Sequence, residues 1–136
     1  MVIANFLDSC LNLRNYTPSL FKTGIIGAIE GGLDMKARTK STKEVLAREM
    51  DVFLLDGFHF NGPDSELLQF SNTRDVLAEI VSLLPVDKPR FYFGAGNPAM
   101  GFNLTKDGVD IFIYVKTITF VNKRGIKSQT HQIVMA

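Results

Sequence analysis

The sequence of 136 residues has one cysteine, two histidines and no tryptophan. The single cysteine, Cys10, excludes an intramolecular disulfide and indicates a reducing compartment. A structural zinc site usually has four cysteine or histidine ligands, and the sequence contains only three such residues. The sequence therefore predicts a protein without a bound metal ion of its own.

The chain also lacks a strong net charge and long apolar runs. Its formal charge is +1, which gives no global field for nucleic acid, so RNA binding would need a local basic patch. The basic residues Lys116, Lys123, Arg124 and Lys127 form such a concentration. No apolar run approaches the roughly 18 residues of a membrane span, and residues 1–7 lack the basic residues of a signal peptide. Neither kind of segment is expected.

The residues that are present have the composition of a globular protein, with 46% hydrophobic and 21% charged residues. We expect residues 1–136 to form a single domain. An apolar stripe at helical spacing predicts an N-terminal helix over residues 3–16. A buried strand over residues 23–29, a surface helix over residues 34–50 and a second buried strand over residues 52–55 follow.

The second half of the chain continues this alternation. Asn72 stands three residues before Asp75, a capping pattern that predicts the start of a helix, and Pro85 ends that helix. Strands are predicted over residues 91–93 and 109–115. The second of them would form one open edge of the sheet.

Alternating strands and helices predict an α/β fold in which parallel strands are joined by right-handed crossovers. The strands are continuously apolar, as expected when both faces of a sheet are covered. Four such strands fit a small doubly wound sheet, or about half of a (β/α)8 barrel, which takes about 250 residues in full. The residues alone leave both architectures open.

Polar residues and glycines follow the first two predicted strands: Glu30-Gly31-Gly32 after the first and Asp56-Gly57 after the second. Parallel strands end at the same edge of a sheet, where barrels keep their chemistry, so these residues are expected to lie together. His59 follows Asp56 closely, and the pair would suit acid–base chemistry in a small α/β enzyme. The plainer interpretation is that the glycines only permit turns.

A glycine loop, Gly94-Ala95-Gly96-Asn97-Pro98, follows the third strand. The backbone N–H groups of Gly94 and Gly96 would suit a phosphate at a helix start, although the third glycine of the dinucleotide fingerprint is missing. An ordinary turn between strand and helix is the other interpretation. Ten residues after Pro98 the chain reads Gly108-Val109-Asp110-Ile111-Phe112.

These two motifs, in this order and spacing, resemble the queuine tRNA-ribosyltransferase (tRNA-guanine transglycosylase) family. In that family the residue after the phenylalanine is the attacking aspartate, and here it is Ile113. Isoleucine has no lone pair with which to attack a glycosidic carbon. Asp110 does not replace it, because positions 110 and 113 point to opposite faces of a strand. The resemblance therefore implies that the chain alone is not catalytic.

The resemblance also implies a base pocket. Glu30 stands where the family has a glutamine that contacts the exchanged base, and Gly31 and Gly32 follow it as in the family. Asp56 and Gly57 stand where the family places backbone against the base. An ionised carboxylate only accepts hydrogen bonds, whereas an amide also donates them, so Glu30 would read a base differently.

The matched region, about residues 24–125, implies the second half of a (β/α)8 barrel. The zinc subdomain of the family, a Cys-x-Cys-x-x-Cys segment with a later histidine, is missing. Residues 100–107 are expected to depart from the helix of the family, since Gly101 and Asn103 are poor helix formers.

Within the family, three stretches resemble the accessory, non-catalytic subunits most closely: Glu30-Gly31-Gly32, Phe53-Leu54-Leu55-Asp56-Gly57-Phe58 and Leu84-Pro85-x-Asp87-Lys88-Pro89-Arg90. The implied function is to support a catalytic subunit that exchanges the wobble guanine of tRNA for queuine. That subunit and, through the complex, tRNA are the implied partners. The implied location is the cytoplasm, with the mitochondrial outer membrane as a second site. A truncated or inactive fragment, and a small phosphate-binding enzyme using Asp56 and His59, stand as alternatives.

Overall fold

A computed structural model describes residues 2–58, 70–93, 98–121 and 127–135. Helices and strands alternate over most of this length, and the predicted α/β class is confirmed. The elements are α1 (Val2–Tyr16), a 3₁₀ turn (Pro18–Leu20), β1 (Ile26–Ile29), α2 (Met35–Leu46), β2 (Val52–Leu55), α3 (Phe70–Leu83), β3 (Arg90–Phe93), α4 (Pro98–Lys106), β4 (Ile111–Val121) and β5 (Lys127–Met135).

The strands lie in one sheet in chain order, from β1 to β5. Three neighbouring pairs, β1–β2, β2–β3 and β3–β4, are parallel, as the predicted crossovers require. Ile29, Leu55 and Tyr92 are successive register partners across the first three strands, and all three are buried. These register partners place the core against one face of the sheet.

The two faces of the sheet are covered unequally, which differs from the prediction. Alternate residues of β1 and β2 are buried, whereas the residues between them are half-buried or exposed. Solvent reaches several apolar residues of the less covered face: Ile26 is 49% exposed, Phe93 40% and Ile111 38%. Apolar sequence alone does not decide this, because a strand reads the same whether or not a second layer covers it.

The prediction that the fourth strand ends near residue 115 and forms an open edge is wrong. β4 continues to Val121 and pairs with the antiparallel strand β5, from Ile113↔Met135 to Val121↔Lys127. The extra length has a local reason, because β-branched and aromatic residues continue through Phe120 and favour an extended chain. Among the described strands, β1 and β5 are the two edges of the sheet, and β1 is the edge that belongs to its parallel part.

Two predictions about helices are corrected. Asn72 does not cap α3, because the helix already begins at Phe70. Thr73 is fully buried one turn before the buried Val76, so the face of α3 that packs on the core begins earlier than predicted. Residues 98–106 form α4 despite Gly101 and Asn103. Burial of Leu104 in the core outweighs the weak helix propensity of these residues.

Other boundaries follow local signals. The side chain of Asp34 accepts a hydrogen bond from the backbone N–H of Ala37 and caps α2, close to the predicted start. β1 is shorter than predicted. The backbone N–H of Ile25 donates to the carboxylate of Asp51, 2.7 Å away, and not to a carbonyl oxygen of a neighbouring strand. None of the helices within the described ranges combines the length and apolarity needed to cross a membrane.

Candidate functional site at the carboxyl edge of the sheet

The residues predicted after β1 and β2 meet at the edge where the parallel strands end, which we call the carboxyl edge. Glu30 directly follows β1, and Asp56 directly follows β2. The backbone N–H of Asp56 donates to the carbonyl oxygen of Ile29 at 3.2 Å, which joins the two strand ends. The predicted proximity of Glu30 and Asp56 in the sheet is therefore present.

The glycines beside these carboxylates are required by the backbone. Gly31, Gly32 and Gly57 have φ angles of +138°, +56° and +73°, a region that L side chains rarely adopt. A Cβ at Gly31 would also lie 2.8 Å from the backbone nitrogen of Arg38. The turn geometry alone accounts for glycine at these positions, whatever the edge binds.

A fully buried arginine on α2 holds the first turn in place. Nε of Arg38 donates to the carbonyl oxygen of Gly32 at 2.8 Å, and Nη1 donates to that of Ile29 at 2.6 Å. The hydroxyl of Ser41, one turn later, accepts from the backbone N–H of Glu30 at 3.2 Å. α2 thereby fixes the backbone on both sides of Glu30.

Two aromatic rings continue this arrangement across the next strands. Cζ of Arg38 lies 3.7 Å from the centroid of the Phe58 ring, and Phe58 stacks on Tyr92 with centroids 5.6 Å apart. We call Arg38, Phe58 and Tyr92 the arginine stack. It links α2, the segment after β2, and β3 beneath the carboxyl edge.

The arginine stack also places a positive charge behind two carboxylates. Burial lowers the pKa of Arg38 from 12.5 to about 10, and the nearby negative groups, including Asp56 and Glu30, oppose that fall. Burial likewise raises the pKa of Tyr92, which Arg38 partly offsets. At neutral pH Arg38 is therefore cationic and Tyr92 is neutral. Nη2 of Arg38 makes no hydrogen bond within the described part of the chain.

Sequence reasoning missed Arg38 and Ser41. The available signal was their spacing, because residues 38, 41, 42 and 45 form one helical face and all four are buried. Three polar residues on the inner face of a helix indicate that the helix hydrogen-bonds to the chain beneath it.

Asp110 lies at the opposite edge of the sheet from Glu30 and Asp56. Its Oδ2 accepts from the backbone N–H of Arg90 at 2.8 Å, at the start of β3. The guanidinium of Arg90 in turn donates to the carbonyl oxygen of Gly108 at 3.1 Å. Asp110 thus joins the amino ends of β3 and β4, which is a structural role.

Position 113 lies at the carboxyl edge by register. Ile113 pairs with Phe93, one residue beyond the partners Leu55 and Tyr92. The remaining predicted site residues, His59, Gly94 and Gly96, lie outside the described residues. The Asp56–His59 pair and the phosphate loop therefore stay predictions.

The carboxyl edge offers hydrogen-bond acceptors, the carboxylates of Glu30 and Asp56, close to the buried guanidinium of Arg38. Two carboxylates would accept from donors on a ligand. Within the described ranges no group of three or more histidine, cysteine or acidic side chains is arranged to hold a metal ion. The described edge is thus suited to holding a polar ligand or the backbone of a partner.

Comparison with known proteins identifies the family of the chain. The family model described as queuine tRNA-ribosyltransferase matches residues 4–125. This range includes β1 to β4 and every residue of the arginine stack. The chain belongs to the queuine tRNA-ribosyltransferase family. The resemblance carried by the two glycine motifs is confirmed.

Several relatives within the family carry the name queuine tRNA-ribosyltransferase accessory subunit 2. The one from Ixodes scapularis is 37% identical over 108 residues, 79% of this chain and 27% of the relative. The one from Homo sapiens is 39% identical over 107 residues, 79% of this chain and 25% of the relative. The one from Aedes aegypti is 30% identical over 142 residues, 94% of this chain and 34% of the relative. The chain spans about a quarter to a third of the length of these relatives.

Proposed function

We propose that the chain is an accessory, non-catalytic component of a queuine tRNA-ribosyltransferase. Its role is to support a catalytic partner subunit that exchanges the wobble guanine of tRNA for queuine. The observation that carries this proposal is the identity of 37–40% to several proteins named as accessory subunits. Ile113 supports the non-catalytic part, because it stands at the place of the family's nucleophile and cannot attack.

We further propose that β1 to β4 form about the second half of a (β/α)8 barrel. Four adjacent strands in chain order with three parallel pairings are what a barrel segment requires. The half-exposed apolar residues Ile26, Phe93 and Ile111 support this idea, because a barrel interior would bury such side chains. In this arrangement further barrel strands would pair with the free edge of β1, whereas β5 occupies the outer side of β4 from Ile113 onward.

The base-pocket equivalents are Glu30, Gly31, Gly32, Asp56 and Gly57. Their support is the contact between neighbouring strand ends and the clamp that Arg38 provides. Glu30 accepts hydrogen bonds where the family glutamine both donates and accepts, so this pocket does not bind the base as a catalytic subunit does. Its place in the complex is structural.

The proposed complex is a cytoplasmic heterodimer, with association at the mitochondrial outer membrane as a second location. The chain contributes no zinc or other cofactor to it. tRNA reaches the chain as a substrate held by the complex.

Incorporation of labelled queuine into tRNA tests the proposal. The chain, the catalytic subunit and their mixture are compared at equal concentrations, with a catalytic subunit lacking its nucleophile as the control. We expect incorporation only where an intact catalytic subunit is present, and a higher rate in the mixture than with that subunit alone. Incorporation by the chain alone, or no change in the partner's rate, would reject the proposal.

A further inference from the structure

The outer face of α2 carries three exposed lysines. Lys36, Lys40 and Lys43 are spaced by four and three residues, which places them on one side of the helix. At about 1.5 Å per residue they extend over roughly 10 Å. We call these three residues the lysine stripe. Sequence reasoning assigned the basic surface to residues 116–127 instead.

No acidic side chain pairs with the lysine stripe in the described part of the chain. Between the cap Asp34 and Glu44, α2 contains no acidic residue. Glu44 follows Lys40 by one turn, and its Oε2 makes no hydrogen bond to the described residues. Arg48, in contrast, is bound by both carboxylate oxygens of Asp8, at 2.7 and 2.8 Å.

Helix stability does not account for the lysine stripe. Lys36 lies in the first turn of α2, where the helix dipole disfavours a positive charge. Lys36 and Lys40 are also like charges one turn apart, which destabilises a helix. Real proteins break local rules of this kind at functional or strained sites.

We propose that the lysine stripe binds the phosphodiester backbone of RNA. The choice of RNA rests on the proposed function in tRNA modification, whereas the polyanion chemistry rests on the three unpaired charges. A line of lysines fits a linear array of phosphates, because each ammonium acts as a point charge and needs no fixed fork geometry.

The surroundings of the stripe favour RNA over a membrane or an acidic peptide. The inner face of α2, including Arg38 and Val45, is buried against the sheet and cannot insert into lipid. On the outer face the residues between the lysines include Ala37 and Thr39, and no aromatic anchor stands there. The stripe also begins four residues after Gly32, so an RNA strand along it reaches the carboxyl edge.

Equilibrium binding of an unmodified tRNA transcript tests this surface, using the full chain. In the stripe variant Lys36, Lys40 and Lys43 are changed to Gln; in the control variant Lys22, Lys88 and Lys106 are changed to Gln, which removes the same charge elsewhere. Circular dichroism verifies that both variants fold. Affinity is measured over a series of salt concentrations, and binding to vesicles of anionic lipid is measured in parallel.

We expect the stripe variant to bind tRNA at least about tenfold more weakly and to reduce the slope of log K against log salt by about two to three. The control variant should change neither by a comparable amount. Equal losses in both variants, an unchanged stripe variant, no tRNA binding by the original chain, or a stripe effect on vesicles alone would each overturn the proposal. Stripe-dependent tRNA binding without stimulation of a catalytic subunit would sustain this inference and reject the proposed function. Stimulation of the catalytic subunit, with tRNA binding that does not depend on the lysine stripe, would sustain the proposed function and reject this inference.

Discussion

Replacing Arg38 with methionine should destabilise the fold even though it removes a buried charge. The variant loses two charge-assisted hydrogen bonds, to the carbonyl oxygens of Gly32 and Ile29, and the contact with the Phe58 ring. These contribute about 3–6 kcal/mol and about 1–2 kcal/mol respectively. Methionine keeps most of the packing volume, so no large cavity term is added.

The charge itself works in the opposite direction. A pKa lowered from 12.5 to about 10 means that burial disfavours the charged form of Arg38. At about 1.36 kcal/mol per pKa unit, this is a cost of about 3 kcal/mol that the variant no longer carries. The difference is about 1–5 kcal/mol, and we expect a loss near 3 kcal/mol, equivalent to roughly 10 °C in melting temperature. Arg38→Lys should lose stability as well, because one ammonium does not reproduce the fork that reaches both carbonyls.

Thermal and urea unfolding followed by circular dichroism measures these losses. The matched control is Arg74→Met, because Arg74 is 63% exposed and its distance to the Asp107 carboxylate is 3.4 Å. Asp107 is only 14% exposed, but the long distance and the exposure of Arg74 leave this ion pair a contribution of about 1 kcal/mol. The account of the arginine stack would be refuted if Arg38→Met had the same free energy of unfolding as the original chain, or lost no more of it than Arg74→Met does.

Four further outcomes follow from the structure. Gly31→Ala should lose about 1–3 kcal/mol in urea unfolding, because it adds a close contact to an unfavourable φ of +138°, whereas Gly32→Ala meets no neighbouring atom and should lose less. Burial raises the pKa of Tyr92, so the stability it contributes is complete below pH 10 and is lost as the pH rises towards the higher folded value; Tyr92→Phe should flatten this alkaline loss, and Tyr16→Phe, at an exposed site, should not. Elemental analysis of the purified chain should find no stoichiometric zinc, and one zinc per chain would contradict that expectation. Because β1 leaves an apolar edge with Ile26 half-exposed, the isolated chain should self-associate at tens of micromolar, and light scattering from a monodisperse monomer would contradict it.

Local chemistry was sufficient for several elements. β2 spans the predicted residues 52–55, because four apolar residues between a charged helix end and Asp56-Gly57 allow little else. α2 begins beside its predicted start, because Asp34 satisfies a free backbone N–H through its own side chain. The predicted N-terminal helix over residues 3–16 corresponds closely to α1, Val2–Tyr16. Signals of this kind act within a few residues and are readable without the fold.

The candidate site was readable in part. Glu30 and Asp56 were placed together from sequence, because a parallel sheet brings successive strand ends to one edge. Arg38 was not, since a basic residue in a charged helix resembles a solvated one until its face is known. Its hydrogen bonds reach Ile29 and Gly32, and only packing of α2 on the sheet turns the side chain inward.

Residue type and spacing along the chain were sufficient to predict the alternation of strands and helices, the glycine turns at the strand ends, the family and the absence of its nucleophile at position 113. Tertiary structure decided the pairing of β4 with β5, the helix over Gly101 and Asn103, and which lysines of α2 face outward. These depend on burial and on contacts between segments distant in sequence, whose free energies outweigh the local preferences of single residues.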